Sequence, residues 1–296
     1  MSDSLSVWVA GARPRTLPAA VAPILAGTAS AIAAPVVLGP RHYVIAVLCL
    51  VVALALQVGV NYANDYSDGI RGTDADRVGP MRLVGSGAAE PRIVKRAAFS
   101  CFGVAAVAGL ALVILSQLWW LLAVGVAAIA AAWFYTGGRR PYGYLGLGEL
   151  FVFVFFGLVA VGGTVLVQVG ATPPATWAAA VAIGALACAI LVANNLRDID
   201  GDRLVGKRTL ATRLGHAGTR RFYVLLCAVA VACVVGLAAL TTWSALLGLA
   251  CLVFLVPCVR SSLGGADGRG LIPVLRDTGF AELTVALGLL VGCLLG

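Results

Sequence analysis

Asn61-Tyr62-Ala63-Asn64-Asp65-Tyr66-Ser67-Asp68-Gly69-Ile70-Arg71-Gly72-Thr73-Asp74 follows directly on an apolar run at about 43–63. A bilayer's hydrocarbon takes about 20 mostly apolar helical residues to cross, so the amides and acids arrive at a membrane face. Asn61, Asn64/Asp65 and Asp68 recur every three or four positions and therefore share one side of a helix. A second segment repeats this design. Asn194-Asn195-Leu196-Arg197-Asp198-Ile199-Asp200-Gly201-Asp202 closes the run at about 175–196, with Asn194, Asp198 and Asp202 at i, i+4 and i+8.

Nine such apolar runs are present, at about 17–37, 43–63, 97–116, 118–136, 147–169, 175–196, 220–240, 243–260 and 278–295. They predict an all-α, polytopic membrane protein forming a single domain over residues 1–296. The composition agrees. Apolar residues make up 61% of the 296 residues and charged residues 11%, against about 25% charged in soluble domains. That excludes a disordered, fibrous or nucleic-acid-binding protein. The first run is interrupted by Pro18, Pro23 and Pro35, and a signal peptide is its alternative reading. Four runs separate the two acidic clusters, so both end on the same side. The count also suggests a parallel repeat of four helices plus four, with a ninth appended.

With a cytoplasmic N-terminus, every basic residue except Arg41 falls in an inner segment, and the C-terminus lies outside. The net charge of +8 is thus mostly topology. The thirteen acids also gather on or near that side, which the positive-inside rule does not require. They point to chemistry. Close carboxylates repel unless a cation joins them, and all-oxygen ligands suit Mg²⁺, commonly held by carboxylates together with substrate phosphates. Arginines and a lysine follow each cluster and suit an anion. Metal, phosphate and membrane together suggest a lipid diphosphate. The eight cysteines show no metal-ligand spacing and read as small apolar residues. His42 and His216 have no partner in the sequence, and Glu149 and Glu282 read as acids opening helices.

At these residues the sequence resembles the UbiA superfamily of intramembrane aromatic prenyltransferases. Asn64-Asp65-Tyr66-Ser67-Asp68 is similar to the start of its NDxxDxxxD motif, and Asp198 to Asp202 to its DxxxD motif. Gly72 stands where the last acid of the first motif is expected; Asp74 and Asp76 are the next acids. Arg13-Pro14-Arg15-Thr16-Leu17-Pro18, Tyr135-Thr136-Gly137-Gly138-Arg139-Arg140-Pro141-Tyr142-Gly143-Tyr144 and the segment through Pro80-Met81-Arg82 resemble the branch acting on 1,4-dihydroxy-2-naphthoate. The resemblance covers residue 8 to the C-terminus.

It implies nine spans around a central cavity open sideways to lipid, and Mg²⁺-dependent transfer of a prenyl chain from a polyprenyl diphosphate to an aromatic acceptor. Loss of the acceptor's carboxylate would give demethylmenaquinone in the plasma membrane, with the site loops cytoplasmic; 4-hydroxybenzoate is the alternative acceptor and a transporter the alternative class. Asp65, Asp68, Asp198 and Asp202 would hold two Mg²⁺ ions, with Asn64 and Asn195 adding neutral contacts. Arg71, Arg139, Arg140 and Lys207 would meet the diphosphate, with Tyr135 and Arg139 at the family's YxxxK positions and Asp74 as one replacement for the missing acid. Arg13 would meet the diphosphate or the acceptor carboxylate, with a topology-setting role as the alternative. Tyr62, Tyr66, Phe151, Phe155 and Phe156 are candidates for a wall shielding an allylic cation, with packing as the alternative.

Overall fold

In chain order the helices are α1 (Ser2–Ala12), α2 (Pro18–Ile32), α3 (Pro40–Arg71), α4 (Pro91–Ser116) and α5 (Leu121–Phe134), then α6 (Gly148–Val169), α7 (Pro174–Leu204), α8 (Leu210–Leu240), α9 (Trp243–Leu263) and α10 (Leu271–Leu295). They come from a computed structural model that describes residues 2–37, 39–72 and 82–296. No strand occurs among the described residues. Prolines open α2, α3, α4 and α7, where the missing N–H would have had no partner and the fixed φ already suits a helix.

Among the described residues seven helices, α3, α4 and α6 to α10, are long and apolar enough to cross a membrane. The other two expected spans are shorter apolar helices. The run at 17–37 gives only the 15 residues of α2, because the chain leaves the helix at Ala33 and Pro35 bars its return. The run at 118–136 gives the 14 residues of α5, which begins after a turn through Leu118–Trp120. Glu282 is also corrected. It lies in mid-α10, fully buried, and neither of its oxygens meets a donor among the described residues. Glu149 does open α6.

α7 is the most buried of the long helices and forms the axis. Its small residues let neighbours come close, as in membrane bundles generally. At the α6–α7 crossing, a Cβ on Gly157 would stand 2.6 Å from the Ala180 carbonyl oxygen and 2.9 Å from the Gly184 Cα. α6 carries a π-helical stretch over Phe153–Val161 at this crossing. α3 with α4 and α7 with α8 form helical hairpins, and α2 and α10 complete the packing around α7.

α3 and α7 run beyond their apolar stretches as 32- and 31-residue helices, so both acidic clusters remain helical to the end. α3 stops at Gly72, whose φ of 69° is left-handed and favours glycine. That explains why Gly72 stands where the motif's last acid was expected: the helix that would carry it has ended. Asp74 and Asp76 lie outside the described residues. Arg41 begins α3 at the far end, its guanidinium bonded to the Leu115 carbonyl.

Candidate active site

Two turns below the end of α3, Asn64 faces a cavity of about 470 Å³ enclosed by α2, α3, α4, α5 and α6. Most of its wall is aliphatic. Polar and aromatic groups gather at the acidic end, where Asn61, Asn64, Tyr135 and Tyr142 line it and Phe151, Phe155 and Phe156 continue the wall. Tyr142 stacks on Phe151 at 4.0 Å, and Tyr135 meets Tyr142 edge-on at 5.5 Å. The Tyr142 hydroxyl donates to the Ala131 carbonyl at 2.8 Å, and burial pushes its pKa up. Leu110, Leu122 and Val126 line the cavity yet are exposed on the outer surface, so it opens sideways. Phe151, Phe155 and Phe156 thus belong to the wall. Tyr66 does not; it stacks on Trp133 at 6.1 Å, with Lys95 above its ring.

Asn64 is held by the Thr136 hydroxyl, which donates to its Oδ1 at 2.7 Å. One turn on, Asp68 accepts from the Tyr144 hydroxyl at 2.6 Å and lies 3.9 Å from the Arg82 guanidinium. Lys207 sits over the Tyr144 ring, 4.5 Å from its centre, and 3.8 Å from Asp202. A continuous line, Asp68–Tyr144–Lys207–Asp202, therefore joins the end of α3 to the end of α7. Asp198, a turn below Asp202, is gripped in bidentate fashion by Arg197 at 2.7 and 2.8 Å, and Arg197 also donates to Asn194. Arg71 bonds to the carbonyls of Thr136 and Gly138 and lies 5.5 Å above the Tyr144 ring.

Three expected site residues point elsewhere. Asp65 is fully buried, and its two oxygens accept the backbone N–H groups of Leu83 at 2.8 Å and Val84 at 2.9 Å. It braces the returning loop, and through it the position of Arg82. Tyr62 packs edge-on against Trp8 and donates to the Trp8 carbonyl, which fastens α1 to α3. Asn195 turns into the bundle and donates to Glu149 Oε1 at 2.9 Å. Arg139 and Arg140 are exposed on the loop beside the cavity mouth. Arg13 is left-handed, with φ 53°, in a turn that Asn61 pins by donating to the Ala12 carbonyl and the Thr16 hydroxyl, both at 2.9 Å. A left-handed arginine before a proline is a strained backbone held by its surroundings.

Tyr144, Arg82, Thr136 and Arg197 stood in the sequence only as members of the quoted motif segments, with no site role of their own. Asp200 pairs with Arg203 at 3.6 Å and also meets His216 at 3.5 Å. The eight cysteines are free and lie within the helices.

Among the described residues no three His, Cys, Asp or Glu side chains converge on a common metal point. The donors available at the mouth, Asp68, Asp198, Asp202 and the amide oxygen of Asn64, are all hard oxygens. That set fits Mg²⁺, which takes one or two carboxylates and fills its octahedron with water and phosphate oxygens.

The match to the UbiA prenyltransferase family extends over residues 20–265. The chain is 54% identical over 284 residues to the 1,4-dihydroxy-2-naphthoate octaprenyltransferase of Mycobacterium tuberculosis, covering 96% of this chain and 95% of that one. It is 41% identical over 227 residues to the enzyme of the same name from Escherichia coli, covering 74% and 72%. Among solved structures, a UbiA homolog from Aeropyrum pernix K1 superposes with a TM-score of 0.67 at 16% identity, covering 94% of this chain and 97% of that one. A UbiA homolog from Archaeoglobus fulgidus bound to GPP and Mg²⁺ gives 0.66 at 12% identity, covering 97% and 99%. On this evidence, with the acidic ends of α3 and α7 meeting over one apolar cavity, the chain is a prenyltransferase and belongs to the UbiA prenyltransferase family.

Proposed function

We propose that this protein transfers a polyprenyl chain from polyprenyl diphosphate to 1,4-dihydroxy-2-naphthoate, with loss of the acceptor's carboxylate, to give demethylmenaquinone. The observation that carries this reading is the acidic and basic line from Asp68 to Asp202 across the mouth of an apolar cavity open to lipid. The substrate is read from relatives bearing the naphthoate enzyme's name at 54% and 41% identity. Bound Mg²⁺, here as in the Archaeoglobus homolog, would act as a Lewis acid that takes up negative charge on the departing diphosphate.

The residues of the chain supply the rest. Asp68, Asp198 and Asp202 provide the carboxylates, and Asn64 is held at the boundary between diphosphate and prenyl chain. Lys207, Arg71 and Arg82 are within reach of a diphosphate resting on those carboxylates, and Arg139 and Arg140 add positive charge at the mouth. Arg13, in the turn that Asn61 of the first motif's helix pins, serves the diphosphate or the acceptor carboxylate. Tyr135, Tyr142, Phe151 and Phe155 keep water from the allylic carbon as its C–O bond breaks, and their ring faces favour developing positive charge. The apolar cavity below them receives the prenyl chain, and its side opening lets both lipid substrates enter from the bilayer.

The same reading takes α2 and α5 as the eighth and ninth crossings of a single membrane domain, with α10 added to two groups of four. The equivalent places of the α3–α4 and α7–α8 hairpins support it. In this reading the N-terminus and the site face the cytoplasm and the C-terminus lies outside the plasma membrane, which the distribution of arginine and lysine supports. The test is mass spectrometry of the lipid product from purified protein in liposomes, given Mg²⁺, a polyprenyl diphosphate and each acceptor separately. Demethylmenaquinone is expected from the naphthoate. Product from 4-hydroxybenzoate alone overturns the acceptor, and transport of substrate without a covalent product overturns the reaction.

A further inference from the structure

Tyr144 stands between the two acidic motifs and belongs to neither. It lies in the helical turn Tyr142–Leu145, whose placement is fixed on several sides. The Gly143 N–H donates to the Tyr135 carbonyl at 3.0 Å, and a Cβ at Gly143 would stand only 2.7 Å from that oxygen. On the other side the Arg208 N–H donates to the Tyr144 carbonyl at 3.0 Å, and the Arg213 guanidinium to the Leu145 carbonyl at 2.8 Å. The turn is thereby tied both to the end of α5 and to the segment that links α7 to α8.

From this anchored position the side chain does two separate things. Its hydroxyl donates to Asp68 Oδ1 at 2.6 Å, and its ring carries the Lys207 ammonium 4.5 Å from its centre, with Arg71 at 5.5 Å. Lys207 is in turn 3.8 Å from Asp202. We propose that Tyr144 is a positioning residue that sets the two acidic motifs against one another, its hydroxyl aiming the Asp68 carboxylate and its ring holding Lys207 beside Asp202. The inference rests on the reading of Asp68 and Asp202 as the residues that meet Mg²⁺ and diphosphate. Removing a partner that orients a metal-binding carboxylate weakens metal binding about ten- to hundredfold. An ammonium on a ring face is worth about 0.5–2 kcal/mol, or about two- to thirtyfold in affinity for what it holds.

The hydroxyl and the ring are separated by Tyr144→Phe and Tyr144→Leu, made in the full chain in nanodiscs. Mn²⁺ binding is followed by electron paramagnetic resonance with inorganic diphosphate present, alongside KM for prenyl diphosphate and thermal unfolding. Tyr144→Phe should weaken Mn²⁺ binding at least tenfold, with melting temperature, and KM read at saturating metal, near wild type. Tyr144→Leu should weaken it equally and raise KM several-fold as well. In an Asp68→Asn background, Tyr144→Phe should have no further effect on Mn²⁺ binding. Wild-type Mn²⁺ affinity in Tyr144→Phe overturns the inference, as does a fall in melting temperature that accounts for the whole loss. Absence of diphosphate-dependent Mn²⁺ binding in the wild type overturns the functional reading itself, and the inference with it.

Discussion

Asp65 separates the sequence motif from the built site, and Asp65→Asn shows which of the two is right. Both carboxylate oxygens accept backbone N–H groups, from Leu83 at 2.8 Å and Val84 at 2.9 Å, and the side chain is fully buried. Asparagine keeps the shape but has one acceptor, so its amide NH₂ must face one of those N–H groups. A buried N–H left without an acceptor costs about 1–3 kcal/mol, and the remaining bond loses the strength its charge gave it. Together these come to about 2–4 kcal/mol, concentrated at the loop attachment. The assay is hydrogen exchange at the Leu83 and Val84 amides, read by mass spectrometry on protein in detergent. At 1.4 kcal/mol per factor of ten, their protection should fall about 30- to 700-fold. Mn²⁺ binding should persist, while transfer slows because Arg82, 3.9 Å from Asp68, is no longer held in place. Unchanged protection together with lost Mn²⁺ binding would refute this and return Asp65 to the ligands.

Asp68→Asn and Asp198→Asn should each lower prenyl transfer by about 10³-fold or more, with the melting temperature close to wild type when product formation and thermal unfolding are measured together. Thr136→Val removes the 2.7 Å bond to Asn64; a loss of about 1 kcal/mol should appear as about a fivefold fall in kcat/KM, and an unchanged value would mean that Asn64 orients itself. Gly157→Ala places its Cβ against backbone at 2.6 Å and 2.9 Å, so α6 and α7 must part, and the protein should unfold at clearly lower temperature in a detergent thermal scan. Val126→Trp at the sideways opening should slow transfer from long prenyl diphosphates more than from geranyl diphosphate, seen by comparing kcat/KM across donor lengths.

The apolar runs and the two acidic clusters were legible in sequence, because each depends on a period or a length. Direction around the helix was harder to read. Asn61, Asn64 and Asp68 form one stripe of α3, and Asn194, Asp198 and Asp202 one stripe of α7. A helix turns about 100° per residue, so Tyr62, Asp65 and Asn195, each one step off a stripe, point into packing: Tyr62 to Trp8, Asp65 to the loop at Leu83, Asn195 to Glu149. Spacings of three and four admit both members of an Asn-Asp or Asn-Asn pair, and only the neighbouring chain decides between them. Tyr144 and Arg82 were hidden for a related reason, since their partners are 76 and 14 positions away in the chain.

Carboxylates crowded at a membrane face repel one another, and here each has a donor or a base beside it. Asp68 has the Tyr144 hydroxyl and Arg82, Asp198 has Arg197, and Asp202 has Lys207. Their side chains retain 4%, 10% and 12% exposure. At that burial an unpaired charge would cost far more than one at an open surface. The acids therefore need bases beside them, and the bases they need are of the kind that meets a diphosphate. One arrangement meets both demands, and it explains why Asp68, Asp198 and Asp202 stand among arginines and a lysine. The net charge of +8 thus includes bases that are paired with the acids at the cavity mouth.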